Sequence, residues 1–485
     1  MSTVARTAAR GVAWNLVFGL GARVVQLVGT LVLTRFLAPD AYGAVLAASI
    51  TVATTGVFTS FAFGQYLIAQ RAPATVAFQA AVVHNLLGVA TMGVVVALRH
   101  PLAALVDSPS MAPYVVGFAA AHLLDRLRYV PERLLMRDLR FRTIAAINGS
   151  GELLFTAAAL ALVGREGAWA IVWAALARAG WTSAWFLWAS PRAAWLAPSR
   201  LEPSTLRALL AYGVPITVAA IADRAATRWD SLLMSKLFGS AVMGRYNLSY
   251  SLAEMPISNV AEHIGEVLMP SFSRMEPAER RSAAVRSAAL MALLVAPLGV
   301  GLGAVAPTIV EAFFDPRWAE MAPMLTILSV MTVFRPTTWS AIAYLQAVGR
   351  TRPIMILAFA RAVAVLGLVA LFGLLGGPLW ACVGACIAYA GHAVATIITT
   401  GALTDVPTAA YLVGVARPLL ACVPMFVAVE AARAGLTELG LAAPAVLALE
   451  ITTGAVVFVL GALVLAGPTA REFIRLARRT LSRRG

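Results

Sequence analysis

The chain is predicted to be an all-α integral membrane protein of about 14 transmembrane helices, with two pseudo-symmetric six-helix lobes around a central cleft and two C-terminal helices. Three observations predict this. Of 485 residues, 60% are hydrophobic and only 13% charged, with a mean hydropathy of +0.82, a balance no soluble core explains. Apolar runs of about 20 residues, long enough to span a bilayer, recur along the whole chain. The cations fall mostly in the connections between those runs.

The first run, 11–34, follows Arg6 and Arg10 and has the polarity of a signal peptide, but it reaches Leu33 without an A-x-A site and reads as an uncleaved helix. Runs near 42–69, 76–98, 112–131, 143–163 and 167–189 complete a first six, so 1–190 form an N-lobe. The polar stretch from Pro191 to Pro203 makes 191–206 a cytoplasmic linker. Runs near 207–235, 242–269, 287–310, 320–346, 354–376 and 378–402 give a C-lobe over 207–403. Two more, near 411–432 and 441–466, place helices 13 and 14 within 404–466. Residues 467–485 form a basic cytoplasmic tail in which Phe473, Ile474, Leu476 and Leu481 intersperse arginines, a pattern suited to an amphipathic helix on anionic lipid or to a solvated tail.

The net charge of +15 is carried by arginine with a single lysine, Lys236. Its distribution argues against nucleic-acid binding and for an oriented membrane protein. With the N-terminus inside, the inside loops hold Arg133, Arg137, Arg140 and Arg142, then Arg192, Arg200 and Arg207, then Arg274, Arg280, Arg281 and Arg286, then Arg350 and Arg352. The outside loops hold mostly isolated cations, such as Arg35, Arg99 and Arg165. An even number of helices returns the tail to the inside. Cys382, Cys386 and Cys422 sit in apolar stretches without a nearby ligand set and read as small core residues.

The two sixes read as copies. Arg35-Phe36-Leu37 with Gly43 matches Lys236-Leu237-Phe238 with Gly244 at a shift of 201, and Leu67-Ile68 matches Leu268-Met269 at the same shift. Arg140-Phe141-Arg142 matches Arg350-Thr351-Arg352 at a shift of 210. Six spans per copy start both copies on the same side, which makes the repeat parallel.

Embedded arginines are the candidate site. Arg23 and Arg224 lie near the middle of apolar segments at the shift of 201, and Arg126 and Arg335 form a second pair at a shift of 209. At the bilayer centre an arginine costs roughly 2.5–3.5 kcal/mol on insertion scales, so it belongs against protein or a water-filled cavity. Arg128, Arg178 and Arg228 lie at similar depth, whereas Arg361 is near enough to the inside end to snorkel. The competing reading is a set of helix-locking ion pairs with Asp125, Glu152, Asp223 and Asp230 as partners. Because the cations outnumber those partners, the surplus calls for an external anion, and the planar guanidinium fork suits a diphosphate. Asp125, Glu152, Asp223 and Glu254 are candidates for coupling Na⁺ or H⁺; no metal-binding motif or cofactor signature is expected. Glu262 and Glu266, with His263 between them, read as helix-end charges ahead of Pro270. Of the prolines within apolar runs, Pro215, Pro256, Pro297 and Pro336, only the last, next to Arg335, is weighed as functional.

Four segments carry a family resemblance. Leu33-Thr34-Arg35-Phe36-Leu37-Ala38-Pro39-Asp40-Ala41-Tyr42-Gly43 resembles the LARLLGPxxYG segment of polysaccharide exporters. Residues from Pro131 to Arg142 resemble their PxxLLxRxLxFR loop. Tyr212-Gly213-Val214-Pro215 and the stretch from Val267 to Arg274 resemble their FGxP and VLFPxxSR segments. The likeness is to the Wzx-like oligosaccharide flippases of the multidrug, oligosaccharidyl-lipid and polysaccharide (MOP) exporter superfamily. It implies a bacterial inner-membrane transporter, not an enzyme. That transporter would move undecaprenyl diphosphate-linked repeat units to the periplasmic leaflet by alternating access, alongside membrane lipids and polysaccharide polymerase or export machinery. The motifs are loop and helix-end segments and assign no binding residue.

A drug or organic-cation antiporter of the same fold is the alternative, and it would want acidic residues in its cleft. A membrane glycosyltransferase or polymerase would want a large loop or catalytic domain, and none is visible.

Overall fold

The computed structural model describes residues 28–58, 61–70, 72–138, 140–273, 275–438 and 441–482, and all regular structure among them is helical. After a helical stretch over 28–36 come α1 (Pro39–Val57), α2 (Phe63–Ala69), α3 (Ala74–Ala97), α4 (Arg99–Leu105), α5 (Ala112–Leu127), α6 (Tyr129–Arg137), α7 (Phe141–Glu166), α8 (Trp169–Ala189) and α9 (Pro203–Arg224). A π-helical turn, Ala225–Trp229, leads into α10 (Asp230–Phe272), followed by α11 (Pro277–Phe313), α12 (Met321–Thr337), α13 (Trp339–Ala347), α14 (Thr351–Gly376), α15 (Pro378–Leu403), α16 (Thr408–Glu438), α17 (Ala443–Leu465) and α18 (Gly467–Ser482). Eight of the described helices are long and apolar enough to cross a membrane by length and composition, and the chain is a multi-pass membrane protein.

Several apolar runs expected as single spans are broken helices. The run near 42–69 is split between α1 and α2, with Phe61 and Ala62 in the left-handed region at φ 43° and 45°. The runs near 112–131 and 320–346 split at Arg128 and Thr338, which are counterparts in the repeat. The repeat is thus visible in the element boundaries. Phe141–Glu166 and Thr351–Gly376 begin and end at matching repeat positions, and a 3₁₀ turn precedes α5 at Pro109–Met111 as another precedes α12 at Pro316–Trp318. Gly239, at φ 83°, interrupts α10 just before Ser240, the repeat counterpart of Pro39 at the start of α1.

The chain forms two compact units, one ending at Gly244 and the other beginning at Arg245, so the boundary falls inside α10. In the first unit, α1, α3, α5, α7 and α8 bury a core rich in alanine, including Ala47, Ala48, Ala170 and Ala174. Small side chains let helix axes approach where lipid offers no hydrophobic drive for association. α9 packs in this unit against α1, α2 and α3. In the second unit, α11 is the central helix, with α12 on one side and the α16–α17 hairpin on another.

Candidate functional site

The first unit contains a cavity of about 320 Å³ between the 28–36 helix, α1, α5, α7 and α8. Tyr42, Ser49 and Ala53 line it from α1, His122 and Asp125 from α5, Glu152 and Phe155 from α7, and Arg178 from α8. Glu152 accepts a hydrogen bond from Arg178 Nη1 at 2.9 Å, and that guanidinium lies 5.3 Å over the Phe155 ring. Asp125 accepts from Arg128 Nε at 2.9 Å. Arg128 also donates to Glu132 at 3.0 Å and to Asn148 Oδ1 at 3.2 Å, and stacks 5.4 Å over Phe186. Placed at the break between α5 and α6, Arg128 therefore ties both to α7 and α8.

Arg126 is buried and turned toward α3. Its Nε donates to the His84 carbonyl at 3.1 Å, and its Nη2 approaches both that carbonyl and His84 Nδ1. The His84 ring in turn stacks on Tyr129 at 4.2 Å. Gly88, one turn along α3, leaves the space this guanidinium occupies, since a Cβ there would overlap it. The hydrogen bonds and the fitted space tie Arg126 to α3.

The second unit repeats the arrangement in a smaller space. A cavity of about 20 Å³ is lined by Tyr250 and Glu254 from α10, Arg335 and Pro336 from α12, Trp339 from α13 and Tyr389 from α15, and Arg335 forms an ion pair with Glu254. Tyr250 and Glu254 stand at the repeat positions of Ser49 and Ala53 in the first cavity. The larger side chains fill in this unit the volume that is open in the other. About 20 Å³ is room for a single water.

Arg224 and Arg228 flank and occupy the π-turn Ala225–Trp229 and are half-buried. Neither guanidinium makes a hydrogen bond or an ion pair among the described residues. Arg228 is close enough to act electrostatically on Arg224 and on Tyr42 of the cavity wall, and Asp223 acts on Arg224. Isolated π-turns recur where side chains must be presented for function. Asp223 is exposed, and Asp230 is buried with its carboxylate accepting from the Ser231 amide at 2.8 Å. Arg23 lies outside the described residues, as do the side chains of Glu262, His263 and Glu266.

The structure thus brings Asp125, Glu152 and Arg178 to one cavity, with Arg128 at its edge, and joins Glu254 to Arg335 in another. Sequence reasoning missed His84, His122 and Asn148, whose local surroundings carry no periodic or motif signal, and Glu132, an unspecified position within the PxxLLxRxLxFR segment. It also missed Ser49 and Tyr250, which matching the repeat position by position would have paired.

Residues 32–323 match the family described as polysaccharide biosynthesis protein. The succinoglycan biosynthesis transport protein ExoT of Rhizobium meliloti (strain 1021) is 26% identical over 405 residues, 80% of each chain. The lipopolysaccharide biosynthesis protein WzxC of Escherichia coli (strain K12) is 26% identical over 128 residues, 26% of each. Among solved structures, the lipid II flippase MurJ in an inward closed conformation superposes with a TM-score of 0.76 at 13% identity, covering 94% of this chain and 99% of that one. An inward-facing multidrug resistance MATE family transporter of the MOP superfamily superposes at 0.62 and 16%, covering 80% and 94%. On these grounds the chain belongs to the polysaccharide biosynthesis protein family and has the fold of MOP superfamily transporters.

Proposed function

We propose that the protein is a flippase that moves undecaprenyl diphosphate-linked oligosaccharide units from the cytoplasmic to the periplasmic leaflet of the bacterial inner membrane. It serves surface polysaccharide assembly by alternating access, without catalysing a reaction. The observation that carries this reading is the cation pair Arg224 and Arg228, half-buried at a helix irregularity with no acceptor among the described residues. Two half-buried forked donors call for an anion with several oxygens, and a diphosphate supplies it. Arg23, at the repeat position of Arg224, joins this set. Arg335, Arg178 and Arg128 contribute field, and Arg126 holds the scaffold.

In this reading residues 1–190 and 207–403 are the two lobes, 191–206 the cytoplasmic linker, and 404–466 and 467–485 the added helices and tail, with both termini cytoplasmic. Polymerase and export machinery would receive the product. Coupling to Na⁺ or H⁺ would use the carboxylates Asp125, Glu152, Asp223 or Glu254. An organic-cation antiporter needs free carboxylates facing its ligand, whereas Asp125, Glu152 and Glu254 are ion-paired with Arg128, Arg178 and Arg335.

Deleting the gene in its host, followed by measurement of surface glycan and of undecaprenyl diphosphate-linked intermediates, tests the function. Glycan should be lost with intermediates held on the inner leaflet. The wild-type gene should restore export, and Arg224→Gln/Arg228→Gln at equal abundance should not. Full rescue by the variant rules out the cation site, and unchanged glycan and intermediates in a strain without a second flippase rule out the function.

A further inference from the structure

Glu450, about a third of the way along α17, is 0% exposed. Its Oε1 accepts a hydrogen bond from the Thr308 hydroxyl of α11 at 2.9 Å, and its Oε2 is buried with no hydrogen-bond partner among the described residues. The three helices that meet here contribute an apolar cluster containing Ala304, Val305 and Val429 with Leu447 against it. The charged groups that face Glu450 are Glu311 on α11 and Glu430 and Arg433 on α16. Arg433 pairs with Glu430 and donates to the Ala304 carbonyl at 3.1 Å, so its guanidinium is engaged beside the site.

An ionised carboxylate in such surroundings, held by one hydroxyl, lacks the donors that make a buried charge tolerable, whereas a neutral carboxylic acid is far cheaper to bury. A hard cation would want about six oxygen ligands. The carboxyl and the Thr308 hydroxyl fall short of that, and no group of three or more His, Cys, Asp or Glu among the described residues is placed to hold a metal ion. An ionisable group retained inside a membrane bundle is expected to serve a site.

We propose that Glu450 is a proton-binding site, a carboxyl that carries its proton inside the packing of α11, α16 and α17. On releasing the proton it becomes a carboxylate and must draw water or the Arg433 guanidinium toward it. The C-terminal helix hairpin therefore responds to proton release, whatever the chain transports.

Infrared difference spectroscopy of the purified full chain in lipid nanodiscs, between acidic and alkaline pH, tests this. Wild type should show the carbonyl stretch of a protonated, buried carboxyl at neutral pH. Glu450→Gln should remove that band, and Thr308→Val, which deletes the hydrogen bond to Oε1, should move it to higher frequency. Where Glu450→Gln does not fold, the Thr308→Val shift decides. A wild-type chain without the band at neutral pH, or a band that neither substitution touches, overturns the proposal. So does loss of the band on adding Na⁺ at constant pH, which would make the ligand sodium.

Discussion

Gly43 and Gly244, counterparts in the repeat, face each other across a helix crossing. A Cβ on either would stand 3.1 Å from the backbone nitrogen of the other. The same added atom would overlap the Ser240 carbonyl from Gly43 and the Pro39 carbonyl from Gly244. Backbone on both sides cannot move aside as a flexible side chain would. Gly43→Ala and Gly244→Ala are therefore each expected to destabilise the chain by about 1–3 kcal/mol, the usual range for overpacking. Gly164→Ala in α7, where a Cβ meets nothing within 4 Å, should be neutral or mildly stabilising. Thermal unfolding in detergent, followed by tryptophan fluorescence, measures all three.

Removing the Arg126 guanidinium should cost stability before it costs transport. Arg126→Gln loses the donors to the His84 carbonyl inside a buried contact, an effect of about 1–3 kcal/mol. The same melting assay reads it. A variant with an unchanged melting point but failed export would give Arg126 a substrate role instead.

Glu152 and Arg178 are each 35% exposed in their side chains, on the wall of a cavity of about 320 Å³ that can hold many waters. A double-mutant cycle should return a coupling of about 0.2–1 kcal/mol, as for screened pairs. Glu254 and Arg335 meet where there is space for one water, and the corresponding cycle should return a larger coupling. Equal values would mean that cavity size does not set the screening.

The linker ahead of α9 is tied to α3 through the side chains of Gln79 and Ser199, the latter donating to the Thr75 carbonyl at 3.3 Å. Gln79, 4% exposed, donates to Ser199 Oγ at 3.3 Å and accepts from the Glu202 amide at 3.1 Å. Gln79→Leu is expected to free this segment, so that limited proteolysis between 191 and 202 speeds up several-fold with the rest of the chain intact. Cleavage at the wild-type rate would show that the apolar contacts of Ala194 and Trp195 and the Ser199 bond to the Thr75 carbonyl suffice.

Much of the fold was legible because its determinants are local. Apolar runs, loop arginines and the repeat shifts of 201 and 210 each depend on a short window of sequence. The family segments are legible for a related reason. Gly43 admits the Ser240 carbonyl and Gly213 the Phe61 carbonyl, so backbone contact alone calls for glycine at these motif positions. The helix break at Thr338 was hidden because the apolar run continues across it, whereas the break at Arg128 lies in a charged stretch, Asp125 to Arg133, that reads as the end of a span.

The sequence by itself determined that the chain is a membrane-embedded helical repeat carrying a surplus of arginine. Only the tertiary structure decided which partners Arg126, Arg178 and Arg335 meet. Arg126 meets His84 from 42 residues away, Arg178 meets Glu152 from 26 and Arg335 meets Glu254 from 81, each on another helix. Burial depth follows from the residues near in sequence, whereas a charge is satisfied by whichever helix packs beside it.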